Sequence, residues 1–374
     1  MKTWFFSETA YPYLPESYES IRVILPNRIY DPKIGADLYH RYLDEWLHAE
    51  DAGLEIMLNE HHQTATCLDP AAPVILGALA RQTTRARLLI LGNPIANRRQ
   101  PVRVAEEMAM VDNLARGRLE VGFVRGVPYE ISAVNSSPVR MSERFWEAHD
   151  LIMKAWTTHD GPFNWEGRYF HHRQVNIWPR PYQEPHPPVW VTSLSTGSIG
   201  PIADHRYVAA TFLTGRDGSK QIFEAYRERA GERGWSAPND RFAYAALVYV
   251  GETDEEGFAG ARKLMWYIES NRVAPQFINP PGYVPAAAVA KAMRNGGSLY
   301  KYDKPDLQNL IANGIVFAGN PDTVFGQIKR FYDYNGGFGH LLVMGQAGFL
   351  DHRETVRGID LLAREVYPRL KELN

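Results

Sequence analysis

Residues 59–67 read NEHHQTATC, so the carboxylate of Glu60 directly precedes His61 and His62, with Cys67 and Asp69 downstream. An imidazole titrates near neutral pH, and a carboxylate beside it can orient it or hold its proton, which suits general acid–base work. The same donors suit a divalent metal, and they also suit plain structural hydrogen bonding. Which of the three applies depends on what the chain builds around them.

Two other stretches carry chemistry of a different kind. In GFVRG (122–126) glycines flank Arg125, so backbone N–H groups and a guanidinium fork can approach a phosphate. SLSTGS (193–198) offers the hydroxyls of Ser195 and Ser198 at the start of a helix, where anions are favoured. Taken singly, the first is also a turn with a solvated arginine and the second a simple helix cap. A third stretch, GNPI (92–95), places Asn93 and Pro94 directly after an apolar run, where backbone could face a planar ring. Its Asn93–Pro94 bond is open to either isomer, with trans favoured.

The elements that must position these residues repeat along the chain. Apolar runs WFF, LEIML, ARLLILG, RLEVGF, VWVTS, YVAATF, FAYAALVYV and HLLVMG alternate with amphipathic helical stretches. One helix is expected from Asp37 as N-cap to a stop at Gly53, and another from Pro101 to Gly117. GIVFAGNP leads into a helix ending near Tyr334. Fully apolar strands in strand–helix repeats imply parallel strands covered by helices. Eight such units favour a (β/α)8 TIM barrel; the rival, a doubly wound sheet, lacks a G-x-G-x-x-G after its first strand. No linker is evident, so residues 1–374 read as one barrel domain with insertions near 8–35, 160–187 (an expected hairpin) and 273–305. In a barrel the chemistry lies at the C-terminal strand ends. That is where all four stretches fall, and strands 4 and 5, with Arg125 and the serines, are neighbours there.

The 374 residues are 45% hydrophobic and 22% charged with net charge −2, which points to neither nucleic acid nor an anionic membrane as main partner. A single cysteine excludes an intrachain disulfide and suggests a cytoplasmic setting. No apolar run approaches the roughly 20 residues of a bilayer span, and the first residues lack a signal-peptide pattern.

With its motifs in this order, the chain resembles the bacterial luciferase-like superfamily of flavin-dependent monooxygenases. The matching stretches are EHH (60–62), PVRVAEEMAMVDNLARGRLEVGFVRG (101–126), ERFWEAHDLIMKAW (143–156), PRPYQEPHPPVWV (179–191), AGNPDTVFGQI (318–328) and REVYPRL near the end. The resemblance implies a luciferase-like TIM barrel that takes FMN as FMNH2 from a separate flavin reductase. It implies activation of O2 as a C4a-(hydro)peroxyflavin and oxygenation of a small organic substrate, in a protein that forms a homodimer. Carried over by position, Arg125 and Arg144 hold the FMN phosphate with Ser195 and Ser198, Arg140 being the alternative to Arg144. Asn93 and Pro94 lie along the isoalloxazine. His61 is the base or stabilising group. On the residues' own reading Glu60 orients it or faces the barrel interior, and His62 is structural, since adjacent residues at a strand end point in different directions. The pattern departs from the family at Val124, where some luciferases carry a reactive cysteine, and at Leu194, where some relatives have glutamate. The segment 92–101 is also shorter. The insertion at 273–305 resembles a segment that closes over the flavin.

Three alternatives remain. F420 serves hydride transfer on the same fold, and some luciferase-like complexes contain non-catalytic flavin-binding subunits. A barrel metallohydrolase would use Glu60, His61, His62 and Asp69. The other histidines argue against it: His171 and His172 fall in the hairpin, while His205 and His340 precede strands and belong to the opposite face. No metal ligand is therefore assigned. Arg98 and Arg99, near a strand end, could recognise an anionic substrate but read first as solvated loop charges.

Overall fold

A computed structural model describes residues 1–270, 279–284 and 306–373, with single positions at 273, 277, 286, 287 and 290. Most of the insertion expected at 273–305, and with it the expectation of a closing segment, lies outside the described residues.

Four strands come first: Lys2–Ser7 (β1), Glu55–Leu58 (β2), Leu88–Pro94 (β3) and Leu119–Val124 (β4). Phe163–Glu166 (β5) and His171–Val175 (β6) form the expected hairpin as a separate antiparallel pair. Val189–Thr192 (β7), Val208–Phe212 (β8), Phe242–Val250 (β9), Val316–Gly319 (β10) and His340–Gln346 (β11) complete the set. Eight strands close in parallel, in the order β1-β2-β3-β4-β7-β8-β9-β11 and back to β1. The barrel is thus the expected (β/α)8 form. GIVFAGNP, expected only as the approach to a helix, supplies the extra strand β10. It pairs from Val316 with Leu247 to Gly319 with Val250, where β9 runs on past its barrel neighbours.

Alternation along the strands splits the apolar residues into two cores. Trp4, Phe6, Met57, Leu89, Trp190 and Leu342 fill the barrel interior. Phe5, Ile56, Leu88, Ile90, Val121 and Leu341 face outward onto the helices. The covering helices include Pro32–Asp51 (α1), Ala72–Gln82 (α2), Pro101–Leu114 (α3), Met141–Thr157 (α4) and Ile199–Asp204 (α5).

The first helix begins five residues before the Asp37 cap expected from sequence. Asp31 caps it instead, its carboxylate accepting from the Lys33 N–H at 2.8 Å, and Pro32 supplies a helix-ready φ at the first position. The helix expected from Pro101 is α3, which runs to Leu114, and Gly117 follows with φ +82°. No helix among the described residues is long and apolar enough to cross a membrane.

Candidate active site

A cavity of about 570 Å³ opens at the C-terminal strand ends. Glu8, Asn59, Glu60 and His61, from the ends of β1 and β2, line one side. Arg125 and Gly126 after β4, and Ser195 and Ser198 after β7, line the other. Deeper in, Phe6, Met57, Leu91, Ala210, Ala245 and Leu342 make the floor apolar.

Close passage of β3 and β4 shapes one wall. A Cβ on Gly122 would stand 2.4 Å from Leu91 Cδ1 and 2.5 Å from the Ile90 carbonyl, so only glycine fits. The parallel register shifts between Ile90 and Asn93. The cis peptide in this segment joins Leu91 to Gly92, one of three in the described chain, and Asn93–Pro94 is trans.

His61 is held by a residue that sequence reading did not single out. Its Nδ1 lies 2.9 Å from Glu130 Oε1, and the same oxygen accepts the His62 backbone N–H at 2.9 Å. Glu130 sits in the short 3-10 turn Pro128–Glu130 that follows GFVRG. The adjacent Tyr129 packs over His61 with ring centroids 6.5 Å apart, and its hydroxyl receives a hydrogen bond from the buried Arg22. Burial opposes a charge on His61, but the hydrogen bond and charge of Glu130 outweigh it and hold the imidazole pKa above its ordinary value. Burial likewise opposes charge on Glu130, and the bond to His61 outweighs it, so that carboxyl titrates below its usual range. Both shifts describe one imidazolium–carboxylate pair. His61 Nε2 has no protein partner among the described residues.

Glu60 makes no hydrogen bond to His61 and lines the cavity. Its Oε1 takes His62 Nε2 at 3.1 Å and an ion pair from Arg98, while Oε2 is buried without a partner. Arg98 is therefore not a solvated loop charge, and His62 is structural as expected. Glu8 is fully buried and accepts from Asn59 Nδ2 at 3.2 Å, with the Tyr267 hydroxyl also acting on the carboxylate. Burial pushes its pKa up despite His61 and Arg22 nearby. Asp69, also buried, is pushed well up by burial and by Glu60. Burial likewise raises the Cys67 thiol, which makes it unreactive in this setting.

The expected phosphate residues divide. The Arg125 guanidinium is exposed, lies 4.7 Å from the Tyr283 ring centroid and has no carboxylate partner among the described residues. Ser195 and Ser198 share its cavity, and Ser198 Oγ is 2.8 Å from Ser193 Oγ. Arg144 does not line the cavity. Its Nε donates to the Ala96 carbonyl at 2.6 Å and its other nitrogens to Val139, Ser136 and Ser137, which ties residues 136–139 to the turn after β3. Arg140 does not line the cavity either and occupies the N-cap of α4 with φ 56°. Pro94 lines the cavity, but Asn93 turns away, its Nδ2 facing the Gly122 carbonyl and Met108 Sδ. The place of Glu130, five residues past Arg125 in the same strand-end segment, is the local signal that could have singled it out.

Comparison with known proteins agrees with this fold. The 3,6-diketocamphane 1,6-monooxygenase of Pseudomonas putida is 22% identical over 360 residues, covering 86% of this chain and 90% of that protein. The solved oxygenating constituent of 3,6-diketocamphane monooxygenase in complex with FMN superposes with TM-score 0.76 at 20% identity, covering 99% of this chain and 98% of that one. The oxygenase component of flavin-dependent trigonelline monooxygenase from Acinetobacter baylyi is 27% identical over 175 residues, 46% of this chain, which spans about half (48%) of that protein. An F420-dependent secondary alcohol dehydrogenase shares the fold with TM-score 0.67 at 17% identity, each chain covered to 98%. Residues 22–337 match the luciferase-like monooxygenase family as a whole, and the chain belongs to that family.

Proposed function

We propose that this chain is the oxygenase component of a two-component monooxygenase, taking FMNH2 from a separate reductase and oxygenating a small organic substrate with O2. The observation that carries this reading is the division of the cavity into two chemically distinct ends. One end offers Arg125, without a carboxylate partner among the described residues, beside hydroxyls, and the other a charged His61–Glu130 pair. FMN fits such a site: its phosphate needs the first end and the proton handling of its ring needs the second. When bound, reduced FMN supplies the electrons that activate O2.

In this reading Arg125, Ser195 and Ser198 bind the phosphate. Glu60 and His61 would face the polar part of the ring. Glu130 fixes His61 with its Nδ1 proton inward, leaving Nε2 to give or take a proton at the reacting edge. The apolar floor from Phe6 to Leu342 excludes water and receives an uncharged substrate portion, since Arg125 is the only cavity-lining arginine or lysine among the described residues. Arg144 is a positioning residue that shapes the phosphate end through the 136–139 segment.

The same acid–base pair suits hydride transfer with F420, so the deciding experiment compares cofactors. The protein is titrated with FMN, FMNH2 and F420, and the FMNH2 complex is then mixed with O2. Tighter FMNH2 binding and an oxygen-dependent transient in the flavin absorbance support the oxygenase. Preference for F420 with no response to oxygen overturns it. A homodimer belongs to the same proposal: Val74 on α2 and Met110 and Leu114 on α3 are exposed by 71%, 56% and 47%, a face suited to a second copy. Val74→Glu with Met110→Glu shifts light-scattering mass from dimer to monomer if that face is used.

A further inference from the structure

Outside the cavity, His149 and Asp150 on α4 and His205 after α5 bring their ligand atoms within 4.8 Å of one another. His149 Nδ1 is 2.8 Å from Asp150 Oδ1, and its Nε2 is 2.8 Å from the Tyr207 hydroxyl. His205 has no hydrogen bond from its ring among the described residues. Its orientation comes from stacking: the Trp146 ring lies at 5.6 Å and 16°, the Tyr207 ring at 5.0 Å and 9°. An imidazole fixed by two parallel aromatic faces, with both nitrogens unpartnered, is a preorganised ligand.

We propose that His149, Asp150 and His205 form a binding site for a divalent first-row transition ion of the zinc type, with its remaining position open to water. Two imidazoles and one carboxylate are the borderline donor set that zinc takes. A tetrahedral ion about 2.0–2.1 Å from its nitrogens spaces its ligand atoms roughly 3.3 Å apart, so closing the triad needs side-chain shifts of about an ångström. Asp150 and His205 are exposed, which gives the ion a way in.

The surroundings are also consistent with ligation. With the ion on Nδ1, the neutral His149 ring would carry its single proton on Nε2 and donate it to the Tyr207 oxygen, the outer hydrogen bond that ligating histidines ordinarily make. The Tyr207 hydroxyl proton has its own acceptor in Met153 Sδ at 3.5 Å.

The site joins α4 to the turn before β8, and Trp146 connects it to the cavity. One face of Trp146 stacks on His205 while the residue lines the cavity wall. An ion there therefore stiffens the wall one helical turn above His149, without touching the proposed flavin residues.

The test is a calorimetric zinc titration of the chelator-stripped full chain, in the absence of flavin. Expected is one zinc per chain, with His205→Gln and Asp150→Asn each weakening binding at least tenfold while circular dichroism stays native. Copper(II) should quench tryptophan emission saturably in the wild type, and Trp146→Phe should remove most of that quenching. Absence of binding, or equal affinity in wild type, His205→Gln and Asp150→Asn, overturns the proposal. Zinc held at Glu60, His61 and His62 instead would appear as that equal affinity. Because no flavin is present, neither result bears on the oxygenase reading.

Discussion

Replacing Glu130 by Gln tests the core of the proposed chemistry, because it keeps the side chain's shape and removes its charge. Glu130 Oε1 accepts from His61 at 2.9 Å, and both side chains are largely shielded, with 2% and 20% of their surface exposed. A hydrogen bond between charged partners contributes about 1.5–3 kcal/mol. If the protonated ring is needed in the rate-limiting step, that loss is roughly a 10- to 150-fold fall in kcat. The pH dependence should move in a defined direction. Glu130 raises the His61 pKa, so the limb of the rate profile set by His61 shifts to lower pH in the variant. Stability follows the same logic. The His61 contribution is present below the unfolded imidazole pKa and is lost as pH rises through the folded value. The Glu130 contribution is present above the unfolded carboxyl pKa and is lost as pH falls through its depressed folded value. Glu130→Gln flattens both edges. FMN affinity should change less than about twofold, since the phosphate end is untouched. The assay is oxygen-dependent product formation against pH, with FMN titration alongside. A variant profile that superimposes on the wild type refutes the role of Glu130.

Arg125→Leu should weaken FMN binding by roughly 10- to 100-fold, as expected for loss of a charge-assisted phosphate contact. Arg144→Ala should instead lower the melting temperature, losing about 2 kcal/mol from its bonds to carbonyls, with a smaller effect on FMN binding; the opposite ranking would restore Arg144 as the phosphate ligand. Gly122→Ala should destabilise by at least about 2 kcal/mol in urea unfolding, because the Ile90 backbone carbonyl cannot move away from the added methyl. Glu8→Gln addresses a carboxyl whose pKa is raised by burial. Its proton is bound more tightly in the folded state, so wild-type stability falls as pH climbs from the ordinary carboxyl range to the raised value. The variant removes that slope, and urea midpoints measured across this range check it.

The course of the chain was legible in its sequence wherever the cause is local. Apolar runs of strand length between amphipathic helical stretches led to the parallel barrel, and Pro101 and Gly117 bracketed α3. Strand ends carrying Glu60–His61–His62, Arg125 and Ser195–Ser198 located the cavity, because a parallel barrel gathers all such ends on one face. The Asp37 cap failed for a local reason too: Asp31–Pro32 is a stronger start, hidden within a loop rich in proline and tyrosine. Partner choice was not legible. His61 meets Glu130 across 69 positions of chain, Glu60 meets Arg98 across 38, and Arg144 reaches Ala96 across 48. Nothing in the local pattern distinguishes an arginine that binds a phosphate from one that holds carbonyls. Sequence determined which residue types arrive at the open end of the barrel. The tertiary structure decided which of them neutralise one another and which, like Arg125 and His61 Nε2, have no such partner among the described residues, because burial and hydrogen-bond geometry exist only once distant segments are packed together.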